Sequence, residues 1–377
     1  MAGIYIHFPF CKQACTYCNF HFSTSLKNKD VLIESMYREI ELRNRFFKNE
    51  IIDSIYFGGG SPSLLSAKSL GFFILKIKKV FNVSSLVEIT VELNPDDSSI
   101  EYLNELKEIE VNRASLGIQS FIEEDLKLMK RAHSSDQAFD SIEKVKSGFK
   151  NFSIDLIYGL PNSNLDKWMF NLNTSLTYEP PHISCYALTV EPKTLLKKQI
   201  DSGETSLIEE SKVEEQYLNM VNYLQKNKYD NYEFSSFAKP GNHSINNNGY
   251  WKGKPYLGIG PSAHSFDGNN KRSWNINQNN LYIKSIKENK LPFTEEHLSL
   301  KDKFNETIMT GLRTSTGVSL KEIRDKLGDK FADYLEENSK NRILSNDLYW
   351  DRGHLHVTKK SKFLSDGIAS DLFIIDL

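Results

Sequence analysis

Short apolar runs alternate with amphipathic stretches along most of the chain, and that alternation restricts the fold before anything else does. GIYIHF reads as a strand. DVLIESMYREIELRNRFF (Asp30 to Phe47) reads as a helix, with apolar residues three and four apart. DSIYF (Asp53 to Phe57) precedes a helix beginning near Ser66, and VEITVEL (Val87 to Leu93) precedes one from about Ser98. RASLGI (Arg113 to Ile118), FSIDLIY (Phe152 to Tyr158) and HISCYAL (His182 to Leu188) continue the series, and NYEFSSF (Asn231 to Phe237) reads as a last short strand. Repeated strand–helix units imply a parallel sheet covered by helices. A barrel and an open doubly wound sheet satisfy the periodicity equally.

Two segments break the pattern. Pro240 to Arg272 is rich in Gly, Asn and Pro and reads as an ordered connector, expected over residues 239–300 and crossing the barrel mouth. It separates an α/β domain over 1–238 from a module over 301–377. In that module, helices at KDKFNETIMTGLRT, SLKEIRDKL and DKFADYLEENS lead to strands at NDLYWD and HLHVT and a closing helix from about Lys362, an order that resembles a winged helix. The module has as many acidic as basic residues, and the whole chain carries a net charge of −2, so no basic face points to nucleic acid. No run of about 18 apolar residues suggests a membrane span.

Of four cysteines, Cys11, Cys15 and Cys18 crowd into FPFCKQACTYCNF, and Cys185 stands alone. The N-terminus has no basic region ahead of an apolar core, so a reducing, cytoplasmic setting is expected, where clustered thiols bind metal or do chemistry. A closed zinc site needs a fourth ligand, from His7, His21 or Cys185. An iron–sulfur cube on three thiolates instead leaves one iron open to a small molecule. After DSIYF comes FGGGSPSLLS, where Gly58, Gly59 and Gly60 let backbone approach a ligand or make a tight turn, Pro62 fixes the turn, and Ser66 caps a helix. Polar residues also end other strands: Glu92 before Asn94, Gln119, Asp155, and Arg131 in KRAHSS. In a parallel α/β fold that edge is where ligands bind.

CKQACTYC has the C-x3-C-x2-C spacing of the radical S-adenosylmethionine (SAM) enzymes. GIYIHFPFC, YFGGGSPS, VELNP, RASLGIQSF, RAHSS, DLIYGLP, YALTVEP, YEFSSFAKPG, YLGIGPSAHS and NETIMTGLRT together resemble the oxygen-independent coproporphyrinogen oxidase group within that family, over essentially the whole chain. The resemblance implies a partial (βα)6 radical-SAM barrel with a winged-helix-like α+β module after it. It implies a [4Fe–4S] cluster on Cys11, Cys15 and Cys18, with SAM on the open iron and contacts from Tyr5, Gly59, Gly60, Ser61, Glu92, Gln119, Arg131 and Asp155. Reductive cleavage of the SAM sulfonium is the chemistry such a pair supplies.

The oxidases carry a fourth cysteine two residues after the third, where this chain has Phe20, and a substantial extension ahead of the motif, where this chain has ten residues before Cys11. Both features resemble the haem-chaperone branch, which implies haem as cargo and haemoproteins as partners and leaves peripheral membrane contact and a homodimer open. That branch shows H-N-x-x-Y-W late in the chain. Here Asn246 replaces the histidine, while Asn247, Tyr250 and Trp251 match, so His243 and His264 become the nearby candidates for a haem ligand. The alternative is an oxidase that decarboxylates two propionates of coproporphyrinogen III.

Overall fold

The computed structural model describes residues 1–375. Six parallel strands form its centre: β1 (Ala2–Phe8), β2 (Ile52–Gly59), β3 (Val83–Leu93), β4 (Arg113–Gln119), β5 (Phe152–Tyr158) and β6 (His182–Ala187). They lie side by side in chain order. That order resolves the ambiguity left by periodicity. A doubly wound sheet reverses its strand order, and right-handed crossovers then place helices on both faces. Strands laid down in strict sequence put every helix on one face, and the sheet must curl to shelter the other.

Alternation along the strands shows which face is which. Ile4, Ile6 and Phe8, with Ile55, Phe57, Ile89, Val91, Leu116, Ile118, Ile154, Leu156 and Ile183, join one apolar core with the helices Lys29–Leu42, Ala67–Val80 and Ser135–Gly148. The intervening residues face the concave side and are almost all polar or glycine. They include Tyr5 and His7, Tyr56 and Gly58, Glu88, Thr90 and Glu92, Arg113, Ser115 and Gly117, Ser153 and Asp155, and His182, Ser184 and Tyr186. A barrel lined this way has a wettable lumen where a packed one would be filled with Val, Ile and Leu.

Ser66 accepts from the Ser69 amide at the start of Ala67–Val80, and Ser99 caps Ile100–Glu108 in the same way. The first helix ends at Leu42, five residues short of the expected Phe47; Arg43 turns back to Glu39, and Phe46 packs edge-on against Phe47. The expected strand over Asn231 to Phe237 is in fact a tight hairpin, β7 (Asp230–Asn231) and β8 (Ser236–Ala238), with β8 antiparallel to β6. Buried Glu233 makes that turn, its carboxylate accepting from the Ser235 amide at 3.0 Å.

Residues 239–300 extend the sheet rather than simply crossing the mouth, and their later part meets the cysteine loop, where His21 Nε2 donates to Asn279 Oδ1 at 2.7 Å. The helix Ile245–Trp251 closes the opposite end, where the Ile245 amide donates to Glu88 Oε1 at 3.0 Å and Ser54 Oγ to Asn246 Oδ1 at 3.3 Å. The chain then adds β9 (Tyr256–Ile259) parallel to β1, followed by the antiparallel strands β10 (His264–Phe266), β11 (Lys271–Asn275) and β12 (Phe293–His297). Glu39, fully buried, holds this extension to the barrel: it accepts from the Gly260 amide at 2.8 Å, Asn275 Nδ2 at 2.7 Å and Tyr282 Oη at 2.5 Å. The resulting twelve-stranded sheet has β12 at one edge and β7 at the other, so the barrel is partial.

The helices Leu300–Leu312, Leu320–Leu327 and Asp329–Leu344 and a small sheet of β13 (Val318–Ser319), β15 (His354–Val357) and β14 (Leu348–Asp351) form the C-terminal module. It has its own core, including Phe304, Ile308, Leu335, Leu355 and Ile368. Its closing segment is a 3-10 turn over Lys359–Leu364 and then a helix over Ser365–Asp371. Among the described residues, no helix is long and apolar enough to cross a membrane.

Candidate active site at the barrel mouth

Cys11, Cys15 and Cys18 lie on the loop that leaves β1, each partly accessible. Neighbouring elements hold the loop on several sides. The Cys11 amide donates to the Ser23 carbonyl at 3.1 Å and the Thr16 amide to the Met129 carbonyl at 3.0 Å, while the Leu196 amide donates to the Thr16 carbonyl at 2.8 Å. Lys12 pairs with Asp96 at 2.7 Å and with Asp97. Burial pushes the Cys11 thiol up to about 11, against a pull from Ser61, and burial raises Cys18 as well. Bound iron would have to displace those protons.

Two of the three consecutive glycines serve this loop. The Gly60 amide donates to the Phe8 carbonyl at 2.8 Å and the Ser61 amide to the Phe10 carbonyl at 2.7 Å, so the end of β2 runs directly beneath the start of the cysteine loop. A Cβ on Gly60 would stand 2.5 Å from the Phe10 carbonyl oxygen, and one on Gly59 would strike the His7 ring at 2.7 Å. Gly59 also has a φ of +106°, which side chains rarely adopt. Of the three, Gly58 opens on the lumen, where a Cβ would meet Glu92 at 2.9 Å and Tyr5 at 3.0 Å.

Above the lumen Arg131 ties the site together. Its Nη1 lies 3.5 Å from Cys15 Sγ, and its Nη2 donates to Asn94 Oδ1 at 2.8 Å and to the Gly117 carbonyl at 3.2 Å. Its Nε is buried with no partner. Asn94 in turn donates to Ser61 Oγ at 2.9 Å. Gln119 ends β4 with a φ of +66°, a strained conformation for a side chain, and its amide lies where a Cβ on Gly117 would be only 2.9 Å away. A free amide and a guanidinium thus meet within reach of the cysteine loop.

Two carboxylates line the wall below. Glu92 accepts from Tyr56 Oη at 2.9 Å; burial pushes its pKa up to about 7, partly offset by that hydrogen bond. Asp155 accepts from Ser115 Oγ at 2.8 Å and Ser153 Oγ at 2.9 Å, and burial raises it too. Tyr5 donates to His7 Nδ1 at 3.3 Å, and His7 Nε2 donates to the His21 carbonyl at 3.0 Å, so this imidazole is fixed in one tautomer. Burial lowers the His7 pKa to about 4, and the ring stays neutral.

Every residue singled out from the sequence at this end of the barrel is therefore at the mouth or on the lumen wall. Asn94, Tyr56 and His7 belong with them. Asn94 carried a signal, since it follows Glu92 at a strand end, and His7 carried one as a candidate ligand close before the thiols; Tyr56 had none beyond its alternation with buried neighbours. Cys185 faces the helical layer and is buried in the core, away from the other thiols. Asn246 lies at the closed end, and His243 stacks on Tyr232 at 4.4 Å beside the β7–β8 hairpin. His264 stacks on Trp274 across β10 and β11.

A partial barrel with three thiols on the loop after its first strand is the arrangement of a radical SAM protein, and the comparisons agree. The model of the radical SAM superfamily matches residues 5–171, and that of the HemN C-terminal domain matches 298–364. The Heme chaperone HemW of Lactococcus lactis is 34% identical over 99% of this chain and 97% of its own length. That of Bacillus subtilis is 32% identical over 98% of both. The coproporphyrinogen III oxidase HemN of Escherichia coli superposes over 99% of this chain and 90% of its own with a TM-score of 0.84, at 21% identity, a likeness of fold. The chain belongs to the radical SAM superfamily, in its HemW-type branch. Membership of that superfamily implies a [4Fe–4S] cluster and SAM.

The donors present fit both groups. Three thiols share one loop. Among the described residues, no three His, Cys, Asp or Glu side chains, these thiols included, stand close enough to hold a single ion, whereas a cube takes its thiolates on separate irons. Arg131 keeps one N–H without a partner, and Glu92 and Asp155 stand as acceptors on the lumen wall.

Proposed function

We propose that this chain binds haem and delivers it to haemoproteins, working in the cytoplasm and carrying a [4Fe–4S] cluster on Cys11, Cys15 and Cys18 with SAM beneath it. The observation that carries the reading is the end-to-end similarity to proteins named heme chaperones, over 99% of this chain in the Lactococcus lactis case. Phe20 supports it. The ring that stands where the oxidases have a fourth cysteine is 65% exposed, so no sulfur is presented there.

When bound, the cluster and SAM supply one-electron chemistry. The roles of the chain's own groups follow from their chemistry. Arg131 and Gln119 offer N–H donors to a carboxylate, and Glu92 and Asp155 offer acceptors to hydroxyls or an amine. Tyr5 lines the same wall as Glu92, across Gly58 of β2. Gly59, Gly60 and Ser61 keep the cysteine loop close enough for the two groups to meet. The lumen offers SAM a polar wall, and the helix Ile245–Trp251 closes its far end.

The test has two halves. Haem titration followed by difference absorption should show saturable binding. With SAM, a reductant and coproporphyrinogen III under anaerobic conditions, the protein should release no carbon dioxide above the background of a Cys11→Ala variant. Sustained SAM-dependent decarboxylation over many turnovers would overturn the chaperone reading in favour of the oxidase.

A further inference from the structure

A second cavity lies away from the mouth, where the C-terminal module meets the β6–β8–β7 edge of the barrel. It encloses about 140 Å³, and its lining includes Tyr217 and Phe234 from the barrel and Arg313, Tyr349, His356 and Lys362 from the module. Three features of the lining are unusual together.

The first is an unbalanced cation. Lys362 Nζ donates to Asn231 Oδ1 at 2.7 Å, a neutral acceptor. Burial, with Lys359 nearby, lowers the Lys362 pKa to about 8. A desolvated ammonium whose charged neighbour is another cation is costly, and an anion would relieve it. The second is Arg313. It makes two bonds to Asp366, at 2.9 and 3.0 Å, yet its Nε is buried without a partner. Its guanidinium also lies over the Phe234 and Trp251 rings, at 5.0 and 5.4 Å. The third is an available imidazole. His356 stacks on Tyr349 at 5.3 Å, and its Nδ1 abuts Gly317, where a Cβ would be 2.7 Å away, so Nε2 is the nitrogen turned from the backbone. Burial lowers its pKa, which leaves a lone pair at neutral pH.

Cations, stacked aromatics and a neutral imidazole around one cleft match a flat apolar ring that carries carboxylates and a metal ion wanting an axial nitrogen. We propose that this cleft is a seat for haem, with His356 offered to the iron and Lys362 and Arg313 to the propionates. The proposal rests on the haem-binding reading given above and places that cargo outside the SAM lumen. At about 140 Å³ the cleft is too small to enclose a porphyrin, so most of a bound ring would stay in solvent, as suits a ligand that is to be handed on. Trp251, from the motif in which Asn246 replaces histidine, reaches this cleft through Arg313, whereas Asn246 itself is buried at the barrel's closed end.

The experiment is an anaerobic titration of the cluster-loaded protein with haem and, separately, with haem dimethyl ester, which lacks the propionate charges. Wild type, His356→Ala, Lys362→Gln and the double variant His354→Ala/His356→Ala are compared. The double variant is needed because the His354 ring lies 6.2 Å from that of His356 and can take its place. Cluster content and melting temperature serve as folding controls. We expect the histidine variants to change the haem spectrum and weaken binding by about tenfold or more, and Lys362→Gln to weaken haem several-fold, on the order of a charge-assisted contact, without affecting the dimethyl ester. Wild-type spectra and affinities in all variants would overturn the seat alone. A wild type with no saturable haem binding would remove the haem reading and the seat together.

Discussion

At the residue scale, two groups separate chemistry from packing. Cys185 is 1% exposed in the core, on the opposite face of β6 from the lumen. Cys185→Ala should keep a full cluster after anaerobic reconstitution and cost about 1–2 kcal/mol, the size of a small core deletion. Alanine at Cys11, Cys15 or Cys18 should each abolish the cluster with little loss of stability, as read by iron content and the reduced EPR signal. Cluster loss in the Cys185 variant would break the assignment. Glu92 gives a pH dependence of known sign. Burial raises its folded pKa to about 7, above the ordinary carboxylate range, so the native protein keeps a proton that the unfolded chain releases. Its contribution is favourable below the unfolded pKa and is lost as pH rises through the folded one. Each tenfold difference in proton affinity between the two states corresponds to about 1.4 kcal/mol, so the whole effect is on the order of a few kcal/mol. Melting temperatures of the cluster-free protein should therefore fall between about pH 5 and pH 7, less steeply in Glu92→Gln. An equal slope in the variant would show that Glu92 is ionised throughout.

At the element scale, the junction between β1 and β2 determines whether the thiols stay in place. The Gly59–Ser61 stretch fits against backbone from Phe8 to Phe10, and two interstrand amide bonds close the contact. In Gly60→Ala the added carbon meets main chain, which cannot swing aside as a long side chain can. A cost of about 1–3 kcal/mol and a marked loss of cluster retention are expected. Hydrogen exchange at the Cys11 amide should rise with it. Unchanged exchange and full iron content in a folded Gly60→Ala protein would show that the contact tolerates separation. The glycines looked in the sequence like a surface for a ligand or a tight turn. The structure gives Gly59 and Gly60 to the packing of one loop on another and Gly58 to the lumen.

At the scale of the whole molecule, the chain holds two cores joined by a seam of polar contacts and an apolar one, Phe363 on Tyr217. Lys362 bonds to Asn231, the Ser315 amide donates to the Tyr232 carbonyl, and Arg313 lies over Phe234 and Trp251. Separate cores with such a seam should unfold with limited coupling. Leu335 is fully buried in the smaller core, so Leu335→Ala should cost about 2–5 kcal/mol there. Calorimetry should then show the module melting earlier while the cluster spectrum and the barrel transition stay in place. One transition that moves as a unit would mean that the seam couples the two cores.

Much of this was legible in the sequence because it is local. Alternation of apolar and polar residues identified the six parallel strands, since the inward and outward faces of a strand obey a period of two. The three thiols could be read as one site because they share a single loop, and the C-terminal module because its helices and ribbon follow one another directly. The structure had to decide whatever depends on residues meeting across the chain. Strand order, and with it the closure of the sheet toward a barrel, depends on which strands pair. The segment after Pro240 read as a mouth covering; its start instead closes the far end, where the Ile245 and Asn246 amides find Glu88, 157 and 158 residues away in sequence, and its later part meets the cysteine loop at Asn279. Glu233 breaks an apparent strand into a hairpin because its carboxylate bonds the local backbone. The cleft between the two cores has no motif at all, because its walls come from β-hairpin, helix and ribbon segments up to about 150 residues apart, brought together only when both cores have formed.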